Sequence, residues 1–245
     1  MRHLIETPAY YGKEIARRAL EIKAIKLNSE NPFTWASGYR MPIYNDNRLF
    51  LGYPQHRKLI AEGFISLLDT IGEDYECDII AGTSTAGISP ATTFADYSLG
   101  PMPLIYIRDK PKDHGLKNQI EGIDAENNLC GKRVLLIEDL ISTGGSSAKA
   151  VAAIRDAQGE CNYCFSIFNY GFIQAQQMFE GSESYESGKF LTPACEVRSI
   201  LHYTTLLEVA KETGYINDSE VKMLEEWRTD PFGWGVKRGF PKVEK

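Results

Sequence analysis

Short apolar runs alternate with amphipathic stretches along most of this chain. CDIIAG (77–82), PLIYIR (103–108), VLLIED (134–139) and YCFSIFNYG (163–171) are brief, apolar and rich in β-branched or aromatic residues, which predicts buried strands. Helical spacing lies around and between them. Ile15, Ala19, Ile22 and Ile25 predict an amphipathic helix over 9–27. Pro54 opens a second helix, at the position where a missing N–H is harmless, and Leu59, Ile60, Phe64, Leu67, Leu68 and Ile71 form its stripe. TSTAGISPATTFADYSLG reads as a loop followed by a helix, GSSAKAVAAIRDAQG as a helix closed by Gly159 at C′, and FIQAQQMFEG as another helix. Beyond Ala194 come a short strand and two helices, Tyr203–Thr213 and Asp218–Arg228, with Asp218 as N-cap of the second.

Strands alternating with helices predict an α/β fold: a mostly parallel central sheet flanked by helices. The segment 27–49, rich in Asn, Pro, Ser and aromatics, reads as a long loop with short strands or as a functional lip. The chain divides into an N-terminal helix and hood segment (1–50), a core (51–200) and a C-terminal helical extension (201–245), together one compact domain. The tail, with Trp227 and Trp234, reads as structural, covering an apolar groove or extending a dimer contact. Ligands of parallel sheets bind at the carboxyl ends of strands, so chemistry is expected just after Gly82, Ile107 and Ile137.

Composition narrows the classes. Among 245 residues, 43% are apolar and 24% charged, an ordinary globular balance. A net charge of −6 argues against a duplex-coating nucleic-acid binder. The five cysteines are odd in number and scattered, so no disulfide framework is expected. Cys161 and Cys164 form a lone CxxC without further zinc ligands and read as structural thiols. Neither a secretory signal nor a run of about 18 apolar residues is visible, so no membrane partner is expected and the cytoplasm is the default.

Three constellations carry chemistry. In VLLIEDLISTGGS, Glu138 and Asp139 end an apolar run, and Ser142–Ser146 then offer amides, hydroxyls and a helix N-terminus to an anion. It is neither a Walker loop nor a GxGxxG fingerprint. Two acids beside an anion cradle suit one phosphorylated sugar, with carboxylates at its hydroxyls or at waters around magnesium. In YIRDKPKDHGLKNQIEG, Arg108, Lys110, Lys112, His114 and Lys117 are cations able to close over a polyanion. Thr83–Gly87, between a strand and a helix, is a second candidate anion loop, weak alone because Ser and Thr cap many helices.

Together these residues resemble a known family. VLLIEDLISTGGS resembles the phosphoribosyl-diphosphate motif of type I phosphoribosyltransferases. RDKPKDHG followed by NQIEG resembles the catalytic loop of orotate phosphoribosyltransferases, and FTWASGYRMPIYNDNRL their N-terminal substrate segment. The resemblance spans most of residues 10–230 and implies the type I phosphoribosyltransferase fold. It also implies the reaction of orotate with 5-phosphoribosyl 1-diphosphate, giving orotidine 5′-phosphate and pyrophosphate, with magnesium as cofactor. Residue by residue, it assigns Glu138 and Asp139 to the ribose hydroxyls, and Thr143, Gly144, Gly145 and Ser146 to the 5′-phosphate. Leu140 and Ile141 complete the sugar-phosphate segment, and Ser142 serves both that segment and orotate. Arg108, Lys112 and His114 fall at the diphosphate, and Thr83–Ala86 at the pyrophosphate loop. Lys112, His114 and Asp139 are the expected catalytic residues. Magnesium would be held mainly by substrate oxygens and water. The mobile loop that carries the cations of residues 108–114 would be shared between the subunits of a homodimer.

The chain departs from the pattern in places. Ala36 stands where some members carry a lysine before Ser37–Gly38, with Arg40 a substitute. Asp109 follows Arg108 where some carry Arg-Lys, with Lys110 supplying the charge. The FNYG stretch replaces an orotate-binding arginine. Two other readings are a phosphoribosyltransferase for a purine or uracil, disfavoured by the KDHG and NQIEG stretches, and a regulator sensing the ligand, disfavoured by the acidic balance and the lack of a helix-turn-helix pattern.

Overall fold

The computed structural model describes residues 6–72, 75–97, 100–110, 119–123, 129–180 and 194–244. Pro8 at the first turn and the Thr7 hydroxyl, accepting from the Tyr10 amide, start helix α1 (Pro8–Glu21). The helix expected to run to residue 27 stops at Glu21. Lys23 adopts φ 60°, and the chain turns into strand β1 (Ile25–Leu27), whose apolar residues pair with a strand rather than extend a helical stripe. Strands β2 (Phe33–Thr34) and β3 (Arg40–Met41) form a hairpin, and β4 (Ile43–Asn45) pairs antiparallel with β1. The 27–49 segment is therefore a set of short ribbons.

A 3₁₀ turn (Asn47–Gly52) leads into α2 (Pro54–Asp69), which has Pro54 at its start as expected. Then follow β5 (Ile79–Thr83), α3 (Ile88–Tyr97), β6 (Leu104–Ile107), β7 (Ile120–Glu121), β8 (Arg133–Ile141), α4 (Gly145–Asp156), β9 (Glu160–Asn169), α5 (Ile173–Glu180) and β10 (Glu196–His202). The chain ends in α6 (Tyr203–Glu212), α7 (Asp218–Thr229) and α8 (Trp234–Lys237).

The main sheet has six strands in the order β10-β9-β8-β5-β6-β7, parallel except for the β6–β7 pair. From β5 the chain steps outward to β6 and then returns to place β8 on the other side of β5. The carboxyl ends of β5 and β8 thus flank the switch point of the sheet, the expected ligand crevice.

Two caps differ from expectation. Helix α4 ends in a Schellman turn in which Gln158, at φ 67°, is the left-handed C′ residue. Its amide donates to the Arg155 carbonyl, and the Gly159 amide donates to Ile154. Gly159 therefore sits one position beyond the place assigned to it. The N-cap of α7 is Asn217 rather than Asp218. Its side chain accepts from the Ser219 and Glu220 amides, and Glu220 reaches back to the Asn217 amide in a capping box.

Candidate active site

The acid pair stands at the end of β8, and α4 begins six residues after Asp139. Gly144 caps α4 at φ 81° with no side-chain cap, so the first amides of the helix keep their N–H groups for a ligand. A Cβ on Gly144 would lie 3.0 Å from the Phe179 ring and 3.3 Å from the Ala175 Cα, in a conformation side chains resist.

This loop closes one wall of a cleft of about 330 Å³. Glu138, Asp139, Leu140, Ser142, Thr143, Gly144, Gly145 and Ser146 line that wall, with Ser147 and Lys149. Thr83–Ala86, from the last residue of β5 onward, line the facing wall, where the Ser84–Thr85 peptide is cis. Arg108, Asp109 and Gln119 complete the rim. Three segments far apart in sequence thus meet where the strand-end rule puts a ligand. Among the described residues assigned a role in the cleft, Ile141 is the exception: its side chain is buried in the core cluster shared with α4 and α5. Its carbonyl accepts from the Tyr170 amide.

Glu138 is only 6% exposed. Its Oε1 accepts from the Thr83 hydroxyl at 2.6 Å and from the Asp139 amide at 3.0 Å, and its Oε2 accepts from the Ser147 hydroxyl at 2.8 Å. A carboxylate has about four lone-pair sites, so one remains for a ligand. Asp139 is half-buried in the cleft. Burial first, and then the adjacent Glu138 carboxylate, push its carboxyl up to about 8. The Asn47 amide fixes the local backbone, its Nδ2 donating to the Asp139 carbonyl at 2.7 Å.

Arg108 forms an ion pair with Glu121 at 3.6 Å. The Arg108 amide donates to the Gln119 carbonyl, and the Gln119 side chain donates back to the Arg108 carbonyl, both at 2.9 Å. These bonds tie the two ends of the cationic segment together. Lys112, His114 and Lys117 lie outside the described residues. Arg40 is not brought to the cleft: its guanidinium lies 5.8 Å from the Phe240 ring centroid, against the C-terminal segment. Ala36 is exposed. The sequence reading gave no role to Asn47, Ser147, Gln119 or Lys149. Only Ser147 had a visible signal, as the second serine of the helix's first turn.

A larger cavity of about 470 Å³ lies between α5 and β10, lined mainly by apolar side chains such as Phe172, Phe179 and Cys195, and it holds neither acid. The cleft's donor set suits magnesium held through a substrate. Glu138, Asp139 and Asp109 are its carboxylates, and among the described residues no group of three His, Cys, Asp or Glu forms a closed metal cage.

No family model matches the chain. Among solved structures, it is similar in fold to the orotate phosphoribosyltransferase of Aeropyrum pernix, with TM-score 0.60, 22% identity and coverage of 83% of this chain and 99% of that one. It is likewise similar to that of Mycobacterium tuberculosis in complex with 5-phospho-alpha-D-ribosyl 1-diphosphate, with TM-score 0.57, 21% identity and coverage of 80% and 98%. The parallel sheet, the acid pair and the helix-capping anion loop define a phosphoribosyltransferase of type I. Curated relatives narrow the class. The orotate phosphoribosyltransferase of Listeria monocytogenes serotype 4b is 43% identical over 224 residues, covering 91% of this chain and 98% of the relative. That of Porphyromonas gingivalis is 42% identical over 226 residues, covering 92% and 98%. The chain belongs to the orotate phosphoribosyltransferase family.

Proposed function

We propose that the cleft binds 5-phospho-α-D-ribose 1-diphosphate and that the protein transfers its phosphoribosyl group to orotate. The products are orotidine 5′-phosphate and pyrophosphate, in pyrimidine biosynthesis. The observation that carries this reading is the convergence of Glu138–Asp139, the open N-terminus of α4 and the Thr83–Ala86 turn on one cleft. The α4 amides and Thr143–Ser146 take the 5′-phosphate. Asp139, with the remaining lone pair of Glu138, takes the ribose hydroxyls. Ser142 reaches orotate as well as the phosphate loop. Thr83–Ala86 and Arg108 face the diphosphate, joined by Lys112 and His114.

The chemistry is dissociative glycosyl transfer. The C1–O bond to diphosphate lengthens first, positive character grows on the ribose, and N1 of orotate attacks the opposite face. Negative charge develops on the leaving group, where Arg108, Lys112 and His114 stabilise it. Magnesium, when bound to the diphosphate, supplies further charge neutralisation there. The cationic loop serves the cleft of a neighbouring subunit, which makes the working unit a homodimer. The chain acts in the cytoplasm, as hood (1–50), core (51–200) and C-terminal extension (201–245); no helix among the described residues is long and apolar enough to cross a membrane.

A base panel with phosphoribosyl diphosphate and magnesium tests the reading. Orotate loses its ultraviolet absorbance as it is consumed, and this signal is expected. Turnover of a purine with none of orotate would overturn the substrate, and binding without turnover of any base would favour a sensor.

A further inference from the structure

Glu138 is the point where both anion-binding loops are tied together. Thr83, whose hydroxyl donates to Oε1, ends β5 and begins the 83–86 turn. Ser147, whose hydroxyl donates to Oε2, lies in the first turn of α4 and follows the phosphate loop. The Asp139 amide takes the third position. Both hydroxyls are themselves buried, Thr83 at 6% and Ser147 at 1% exposure, so water cannot readily replace them. A buried carboxylate is costly unless it is hydrogen-bonded, and these donors offset that cost only while the two loops keep their present spacing.

We propose that Thr83 and Ser147 are positioning residues. Through the shared Glu138 carboxylate they hold the 83–86 turn and the N-terminus of α4 at the one separation that a single phosphoribosyl diphosphate spans. The proposal rests on the reading of the cleft given above and deepens it. It makes a demand that local roles do not. Each hydroxyl supports both loops, so removing either one loosens the pair of loops together.

Thr83→Val, Thr83→Ser, Ser147→Ala and the Thr83→Val/Ser147→Ala double variant test this, with magnesium present throughout. Calorimetric titrations with inorganic pyrophosphate and with ribose 5-phosphate probe the two ends of the cleft separately. Thr83→Val and Ser147→Ala are each expected to weaken both ligands, by about tenfold, the scale of a lost hydrogen bond to a charged group. Thr83→Ser keeps the hydroxyl and should return to within about threefold of wild type. Because the two donors share one acceptor, the double variant should fall well short of the product of the single effects. In turnover, kcat should drop while the KM for orotate moves less than about twofold.

The proposal is overturned if Thr83→Val weakens only pyrophosphate and Ser147→Ala only ribose 5-phosphate, if Thr83→Ser fails to rescue, or if the losses multiply. Should Thr83→Val fail to fold, Ser147→Ala and Thr83→Ser carry the same comparison. Wild-type inactivity toward orotate would sink the substrate reading alone, since the titrations need no base.

Discussion

The two faces of the central sheet are built from different materials. On one face α4 and α5 pack mainly with small and aliphatic side chains: Ala148, Ala150, Val151, Ile154 and Ala175, with the single ring of Phe179 among the described residues, sit over Val134, Leu136, Cys161 and Cys164. On the other, α1, α2, α3, α6 and α7 cover Ile80, Leu135, Ile137 and Phe165 with a core rich in aromatic rings. Tyr170, Phe172, Tyr203, Trp35 and Trp227 meet there with centroid separations of 5.2–6.3 Å. The alternation of Val134, Leu135, Leu136 and Ile137 between the faces is the period-two pleat of β8. The small-residue face seats α4, whose N-terminus opens on the cleft. The aromatic face gathers distant parts of the chain, because rings are large enough to bridge the hood, the sheet and the C-terminal helices.

The sharpest way to break this comparison is to remove the ring at the centre of the aromatic face. Trp227 is fully buried, touches four other rings, and donates its indole N–H to the Met41 sulfur at 3.1 Å. Trp227→Ala should cost about 3–5 kcal/mol in urea unfolding, against about 1–2 kcal/mol for Val151→Ala on the small-residue face. Equal costs would mean that the aromatic cluster is no more than ordinary packing.

A subtler separation concerns the hood. After Thr229 the chain turns back across the β2–β3 hairpin. The Val243 amide donates to the Gly38 carbonyl at 2.8 Å, and Lys242 lies 4.8 Å from the Tyr39 ring centroid. Gly38 has φ 84°, and any Cβ there would overlap the Val243 carbonyl oxygen. The hairpin in turn reaches the aromatic cluster through Trp35, whose indole N–H donates to the Ile43 carbonyl at 2.7 Å. The tail is thus a strap over the β2–β3 hairpin. A chain ending at Gly239 should lose about 1–2 kcal/mol of stability and raise the KM for orotate several-fold, with the KM for phosphoribosyl diphosphate little changed. If both KM values rise together, the strap supports the whole cleft and the two faces are not separable in this way.

Legibility in the sequence follows the same divide. The parallel strands were readable because their apolar runs are continuous, and the acid pair with its glycine loop because those residues lie within one short stretch of the chain. The β7 edge was not: Ile120–Glu121 is too short to show a pattern and exists as a strand only through Tyr106 and Ile107. Nor was the bridge from Thr83 to Glu138, which joins residues 55 positions apart. The strap was hidden because its residues, Gly235, Phe240 and Val243, show no periodicity and owe their place to partners some 200 residues earlier in the chain. Ile25 misled because one apolar residue fits a helical stripe and a strand equally well, and only the reversal at Lys23 decides between them.

Charge provides the smallest and most selective test of the comparison. Asp139 belongs to the cleft, not to either apolar core, and its carboxyl is pushed up to about 8 because burial and then the Glu138 carboxylate disfavour its ionised form, against a backbone hydrogen bond and the Arg48 guanidinium. In the unfolded chain the same carboxyl ionises near pH ~4. The folded state is therefore favoured by this group below about pH 4, and that advantage is lost progressively as the pH rises toward 8. The linkage ceiling is about 1.4 kcal/mol per pH unit, but solvent reaches this half-buried group, so a loss on the order of 1–2 kcal/mol across the whole window is expected. Asp139→Asn cannot ionise. Measured by urea unfolding without ligand, it should gain stability relative to wild type at pH 8 compared with pH 5, while Trp227→Ala should keep the wild-type pH slope. Parallel slopes for wild type and Asp139→Asn would show that the acid pair stores no such repulsion, and that the cleft is as relaxed without its ligand as the apolar faces behind it.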